Sequence, residues 1–304
     1  MRDEDLIAAI RERKEHLSMV FLAHLYQRPE IQRLADFVGD SLGLSQQAAA
    51  TGAEIILFCG VHFMAESAAI LSPHKRVLLP EPKAGCPMAD MVTVGALEEL
   101  KAKHPGVPVV CYVNTSAAVK AASDICCTSA NAVKVVESLG VDTVIFVPDR
   151  NLAHYVGRQT GVRIIPWEGF CPTHDKITAD DIRAAKRRYP GAEVVVHPEC
   201  PPAVVDLADK VGSTSGIIRY VTESPAREFI IGTETGILHE LERAAPGKRF
   251  HFPVPDKQLC PNMKATNLKK VLTALTDLAP QVTVPEDIAS RARVCLDRML
   301  AVGR

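Results

Sequence analysis

RIIPWEGFCP, residues Arg163–Pro172, is a short apolar run that passes through a turn and ends at a Cys-Pro pair. Two other stretches have the same order, RVLLPEPKAGCP at Arg76–Pro87 and FHFPVPDKQLCP at Phe250–Pro261. Their cysteines are evenly spaced: 85 residues separate Cys86 from Cys171, and 89 separate Cys171 from Cys260. Recurrence at a fixed interval marks one structural unit used three times.

Upstream, each unit opens with an amphipathic helix pattern that runs into a β-rich stretch. These are DLIAAIRERKEHLSMVFLAHLY, ALEELKAKHPGVPVVCYVNTS and DIRAAKRRYPGAEVVVHPECP. A polar-capped helical stretch follows in each: RPEIQRLADFVGDSLG, SAAVKAASDICCTSAN and PPAVVDLADKVGSTSG. The second strands are EIILFCG, TVIFVPD and EFIIGTE, and a further helix pattern leads to the Cys-Pro strand. The strands are continuous apolar runs, as expected when helices cover both faces of a parallel sheet. The pattern predicts an α/β fold of three α/β/α sandwich units, each with a parallel three-stranded sheet and right-handed crossovers, around a pseudo-threefold axis. The units span residues 1–88, 89–173 and 174–304, the last including two C-terminal helices over 263–304.

At 304 residues and 47% hydrophobic, the chain can bury a large core. A net charge of −1 gives no electrostatic case for nucleic acid or an anionic membrane, and 5% aromatic residues are too few for base-stacking platforms. The charged N-terminus MRDEDLIAAIRERKEHL has no apolar signal core, and the apolar stretch Ala53–Leu71 is interrupted by His62 and Glu66. These features predict a cytoplasmic protein with reduced cysteines, and an odd count of nine speaks against a disulfide framework.

Ligands bind beyond the carboxyl ends of strands in open α/β sheets, so three such units would direct equivalent residues at one cavity. Cys86, Cys171 and Cys260 share the end of the third strand. Three convergent thiolates suit a soft metal, zinc or an iron–sulfur cluster. Cys200 follows a first strand instead and breaks the pattern, which leaves three ligands rather than four. Cys59, Cys111, Cys126, Cys127 and Cys295 read as packing residues.

The first strands end at His24 with Tyr26, Tyr112 with Asn114, and His197 with Glu199, polar pairs suited to a ligand pocket. The next helix starts carry Asp40-Ser41, Thr128-Ser129 and Ser213-Thr214, which cap helices and offer anion sites for carboxylate or phosphate. Glu199 is the best general acid/base candidate. His174, three residues after Cys171, is placed to assist it or to hold the loop. No Walker or GxGxxG fingerprint is present, so a nucleotide cofactor has no support.

FLAHLYQ, AGCPMAD, YVNTSAAVKAASDICCTSANA, GFCPTH, HPEC, GSTSGI and CPNMK together resemble the quinolinate synthase family, in order over essentially the whole chain. The resemblance implies condensation of iminosuccinate with dihydroxyacetone phosphate to quinolinate, with release of phosphate and two waters, in de novo NAD biosynthesis. It also implies one [4Fe–4S] cluster per chain on Cys86, Cys171 and Cys260, with one iron left open. Substrate positions map by resemblance onto His24, Ser41, Tyr112, Asn114, Ser129, His197 and Thr214, with Val113, Pro198, Glu199 and Ser213 beside them. Glu199 and Tyr26 take the acid/base work, assisted by His174. A passing contact with the enzyme that supplies iminosuccinate would fit such a function.

Three other readings compete. They are a radical enzyme like the diphthamide-synthesis proteins, an iron–sulfur sensor or carrier with Cys200 as fourth ligand, and a zinc-dependent aldolase-like enzyme.

Overall fold

The computed structural model describes residues 2–303. Its twelve strands fall into three groups. The first is β1 (Met19–His24), β2 (Phe37–Gly39), β3 (Ile55–Cys59) and β4 (Arg76–Leu78). The second is β5 (Val109–Tyr112), β6 (Ile125–Cys127), β7 (Thr143–Val147) and β8 (Arg163–Pro166). The third is β9 (Glu193–Val196), β10 (Lys210–Val211), β11 (Glu228–Gly232) and β12 (Arg249–His251). Each group forms one parallel sheet, ordered β2-β1-β3-β4, β6-β5-β7-β8 and β10-β9-β11-β12. The central strands are mostly buried, β3 and β5 along their whole length, as their unbroken apolar sequences require.

The sheets therefore have four strands, not the expected three. The added edge strands β2, β6 and β10 lie inside stretches expected to be single helices. In the first unit, Pro29–Gln32 makes one helical turn, β2 follows, and the capped helix Ser41–Ala50 comes after. An aspartate explains the break in each unit. Asp36 accepts a hydrogen bond from the Phe21 N–H at 2.8 Å, Asp124 from Val109 at 2.7 Å, and Asp209 from Val194 at 2.7 Å. The same aspartates donate their own N–H groups back to the carbonyls of Phe21, Val109 and Val194. This two-way pairing pulls the chain out of the helix and lays it along the first strand for two or three residues.

The helices Leu268–Asp277 and Glu286–Val302 return to the first two units. Leu268, Val271, Ala274 and Leu275 join Leu6, Ile10, Phe21 and Leu57 in one apolar cluster on the outer face of the first sheet. Between these helices the chain runs along β4, where Leu79 N–H donates to the Pro280 carbonyl and Val282 N–H to the Val77 carbonyl. Those bonds satisfy an edge that would otherwise be exposed. The final helix packs on β6 and on the helices His62–Leu71 and Ala117–Ala121. No helix among the described residues is long and apolar enough to cross a membrane.

Candidate active site

The register of the sheets gives the repeat a structural meaning. Ala23 pairs with Cys59, Cys111 with Val147, and Val196 with Gly232. One residue beyond those first-strand positions stand His24, Tyr112 and His197; three beyond stand Tyr26, Asn114 and Glu199. All six line a single cavity, with Asp40, Ser41, Thr128, Ser129 and Thr214 from the edge-strand ends. Cys86, Cys171, Cys260 and His174 line it as well. Val113, Pro198 and Ser213 are not among its lining residues. Val113 is buried in the core, and the Ser213 hydroxyl accepts from Gly216 N–H at the start of the helix Thr214–Glu223. In the second unit the helix starts only at Ala132, so Thr128 and Ser129 occupy the turn before it.

The nine cysteines divide cleanly. Cys86, Cys171 and Cys260 are partly exposed, and the other six are buried. Cys200 packs among Val194, Val196 and Val204, and its thiol faces the Gly232 carbonyl at 3.3 Å. It does not line the cavity. The Cys-Pro sequence has a local role. Cys171 is the N-cap of the short helix Pro172–Asp175, with proline at the first helical position, where its missing N–H costs nothing.

The sulfur then meets backbone N–H groups. Burial pushes the Cys86 thiol up to about 12, and the N–H groups of Ala89 and Met88 pull the other way. The Cys171 thiol is raised by burial and lowered by His174 N–H, and the Cys260 thiol is raised by burial and lowered by Met263 and Asn262 N–H. Three Cys-Pro turns thus present three sulfurs, each with donors that favour a thiolate, to one cavity. That arrangement fits a thiolate-ligated metal group. Cys171, His174 and Glu199 are also the one set of metal-binding side chains among the described residues whose donor atoms all lie within 4.8 Å.

A buried hydrogen-bond chain crosses the cavity wall. Tyr112 O–H donates to Glu199 Oε1 at 2.5 Å, and His174 Nδ1 lies 2.7 Å from Glu199 Oε2 and 3.2 Å from the Cys171 sulfur. His174 Nε2 is 2.8 Å from Thr233 Oγ1, which in turn lies 2.6 Å from the Tyr26 hydroxyl. Thr214 O–H donates to Tyr26 at 3.1 Å. Burial alone would favour a neutral Glu199, but His174, hydrogen-bonded to it, and the Tyr112 O–H outweigh burial and hold the carboxyl ionised well below the usual carboxylate range. Burial and the Glu199 charge push the phenols of Tyr26 and Tyr112 well above 10, so both remain proton donors. The wall therefore joins one proton acceptor to two proton-bearing phenols.

His24 and His197 are set alike. Tyr26 N–H donates to His24 Nδ1 at 3.1 Å, and Glu199 N–H donates to His197 Nδ1 at 3.3 Å. With Nδ1 occupied as an acceptor, a neutral ring carries its proton on Nε2. Burial lowers both imidazoles to about 3; Lys264 adds to the effect at His24, while Glu199 opposes it at His197. Each ring is thus a neutral donor at working pH. The unfolded chain protonates them near 6.5, so the native state binds fewer protons below that value. The stability of the metal-free protein is expected to be full above about pH 6.5 and to fall as the pH drops toward 3. Melting curves from pH 7.5 to 5 should show this, with a shallower fall in the His24→Asn, His197→Asn double variant. An equal slope in both proteins would contradict the assignment.

The second-strand ends supply residues that the sequence pattern did not reveal. Two positions beyond Cys59, Val147 and Gly232 stand Val61, Asp149 and Glu234, and one beyond Gly232 stands Thr233. Asp149, Thr233 and Glu234 are fully buried. Their signal was present in the aligned second strands, where EIILFCGV, TVIFVPD and EFIIGTE bring these positions into register.

The family model described as Quinolinate synthetase A protein matches residues 8–301. Quinolinate synthase 1 of Methanosarcina acetivorans is 58% identical over 302 residues, covering 99% of each chain. Quinolinate synthase of Methanoregula boonei is 60% identical over 289 residues, 95% of each, and that of Geobacter metallireducens is 58% identical over 304 residues, all of each.

Proposed function

The chain belongs to the quinolinate synthetase A family and is an enzyme of the quinolinate synthase type; from that premise we propose that it condenses iminosuccinate with dihydroxyacetone phosphate to quinolinate, releasing phosphate and two waters, in NAD biosynthesis. One observation carries the proposal. Three Cys-Pro sulfurs open onto a cavity whose remaining polar lining is mostly hydroxyl, imidazole, amide and carboxylate, contributed by equivalent positions of three units. We take those units to be disposed about a pseudo-threefold axis.

Two small, polar, anionic substrates need donors placed in advance. Nε2–H of His24 and of His197 supplies two, and the hydroxyl of Ser129 lies 3.2 Å from His197 Nε2, within reach of the same ligand group. Ser41 and Thr214 are the first residues of two ten-residue helices, where free N–H groups and the helix dipole favour a carboxylate or phosphate. Asn114 Oδ1 is buried without a hydrogen-bond partner in the protein, as expected of a group that awaits a ligand donor. Holding both substrates this way makes bond formation effectively unimolecular.

Glu199 is the base. It accepts a proton during dehydration, and His174 and Tyr112 keep its two oxygens aimed. The Tyr26 phenol, joined to His174 through Thr233, returns a proton to a leaving oxygen. Cys86, Cys171 and Cys260 are the residues that would hold a [4Fe–4S] cluster, which when bound supplies a Lewis-acidic iron with one open position.

The test is an anaerobic assay of the iron-loaded protein with both substrates. Quinolinate is expected by its absorbance and chromatographic retention, and omission of either substrate should abolish it. Protein with a full iron complement that makes no quinolinate would overturn the proposal, and cleavage of S-adenosylmethionine instead would move the protein to the radical enzymes.

A further inference from the structure

Two of the three cysteine loops are fastened by a buried carboxylate at the same position of their units. Asp149 Oδ2 accepts from the Cys171 N–H at 3.2 Å, and Glu234 Oε1 accepts from the Cys260 N–H at 3.1 Å. Both carboxylates stand two residues beyond the strand position that pairs with the first strand, and both are fully buried. In the first unit that position is Val61, which has no acceptor side chain to offer Cys86.

Each carboxylate also holds a second group. Asp149 Oδ1 accepts from Leu152 N–H at 2.7 Å as the cap of the helix Arg150–Thr160, while Arg150 N–H donates to the Gly169 carbonyl at 2.8 Å. The loop before Cys171 thereby runs alongside the end of β7. It does so at such close range that a side chain at Gly169 would strike the Pro148 carbonyl. Glu234 Oε2 accepts from Gly236 N–H at 2.6 Å, and Lys264 Nζ lies 2.9 Å from Oε1 and also donates to the Tyr26 carbonyl. Lys264 is four residues past Cys260, and its N–H donates to the Cys260 carbonyl at 3.2 Å. Glu234 therefore grips the Cys260 loop at both ends and ties it to the loop of Tyr26.

We propose that Asp149 and Glu234 are positioning residues that latch the Cys171 and Cys260 loops, so that two of the three metal-binding sulfurs are placed before any metal arrives. A buried carboxylate oxygen that accepts a backbone N–H is costly to leave unmade, so the latched loops sit in one geometry. The Cys86 loop has no such carboxylate and keeps only the shared backbone tie, from His62 N–H to the Ala84 carbonyl at 2.8 Å. The inference rests on the reading of these cysteines as metal ligands, but the latch itself exists in the metal-free protein and can be tested there.

Asp149→Asn is the informative variant. Asparagine caps a helix as well as aspartate does, so the helix start survives, while only one oxygen remains for two donors. In the metal-free protein, amide exchange in the segment carrying Cys171 should rise on the order of tenfold, with the segments around Cys86 and Cys260 unchanged. Glu234→Gln should do the same for the Cys260 segment alone. Asp209→Asn, which weakens a similar bond far from any cysteine loop, is the control and should leave all three segments as in wild type. In iron-loaded protein the two latch variants should lose iron to a chelator several-fold faster, at a melting temperature of the metal-free protein no lower than that of the control.

Exchange that is unchanged, or raised equally in all three segments, would overturn the latch. Variants that show the exchange pattern beside a wild type that takes up no iron would retain the latch and overturn the cofactor reading.

Discussion

Replacing Cys86, Cys171 or Cys260 by alanine is expected to abolish quinolinate formation, whereas Cys200→Ala leaves it near the wild-type level. The three differ from the other six cysteines in a physical way: they alone are partly exposed, and they line the cavity. Losing one removes a thiolate that no other cysteine at the cavity replaces. The missing charge stabilisation is worth several kcal/mol, or about a thousandfold in rate. Cys200 is buried against the third unit's apolar cluster. Its truncation should cost about 1 kcal/mol of stability, with iron content and turnover unaffected. Iron analysis, visible spectra and the anaerobic assay on the four variants decide the matter. If Cys200→Ala loses iron, four ligands are in use and the open position is gone.

Glu199→Gln should lower kcat by about 10²–10⁴-fold while the protein stays folded and loaded with iron. The amide matches the carboxylate in size, and its oxygen can still accept from Tyr112 O–H. Its nitrogen faces His174, whose ring can present an acceptor in the other tautomer, so the local packing survives. Only the ability to take up a proton is lost. Because Glu199 serves proton movement rather than substrate holding, the expected change lies in kcat, with KM within a few-fold. Normal turnover in an intact, loaded Glu199→Gln protein would remove Glu199 from the acid/base role.

The sites readable in the sequence were those whose positions recur. His24, Tyr112 and His197, with their partners two residues on, end strands long enough to register as apolar runs, and the Cys-Pro pairs mark their own place. The edge strands β2, β6 and β10 escaped because two or three residues cannot establish a period of two. What creates them is a side chain, the aspartate just before, pairing with a strand 15 residues earlier. Asp149, Glu234 and Thr233 were missed for a different reason. A carboxylate or hydroxyl after a strand reads as exposed loop, and only the third dimension shows it buried against a cysteine loop. The chain's last two helices were legible as helices following the third unit, but not where they pack. They pack on the first two units because that is where apolar surface and an open strand edge were left.

That placement bears on how the chain matures on the ribosome. The outer face of the first sheet is covered by the helix Leu268–Asp277, which is synthesised after all twelve strands described. The apolar cluster on one face of the third sheet, by contrast, draws only on residues between Ile177 and Ile230. The first unit is therefore completed late, and Phe21, Leu57 and their neighbours have only part of their cover, such as Leu6 and Ile10, during elongation. A nascent chain in that state presents a greasy surface and an unpaired strand edge, the features that holding chaperones bind.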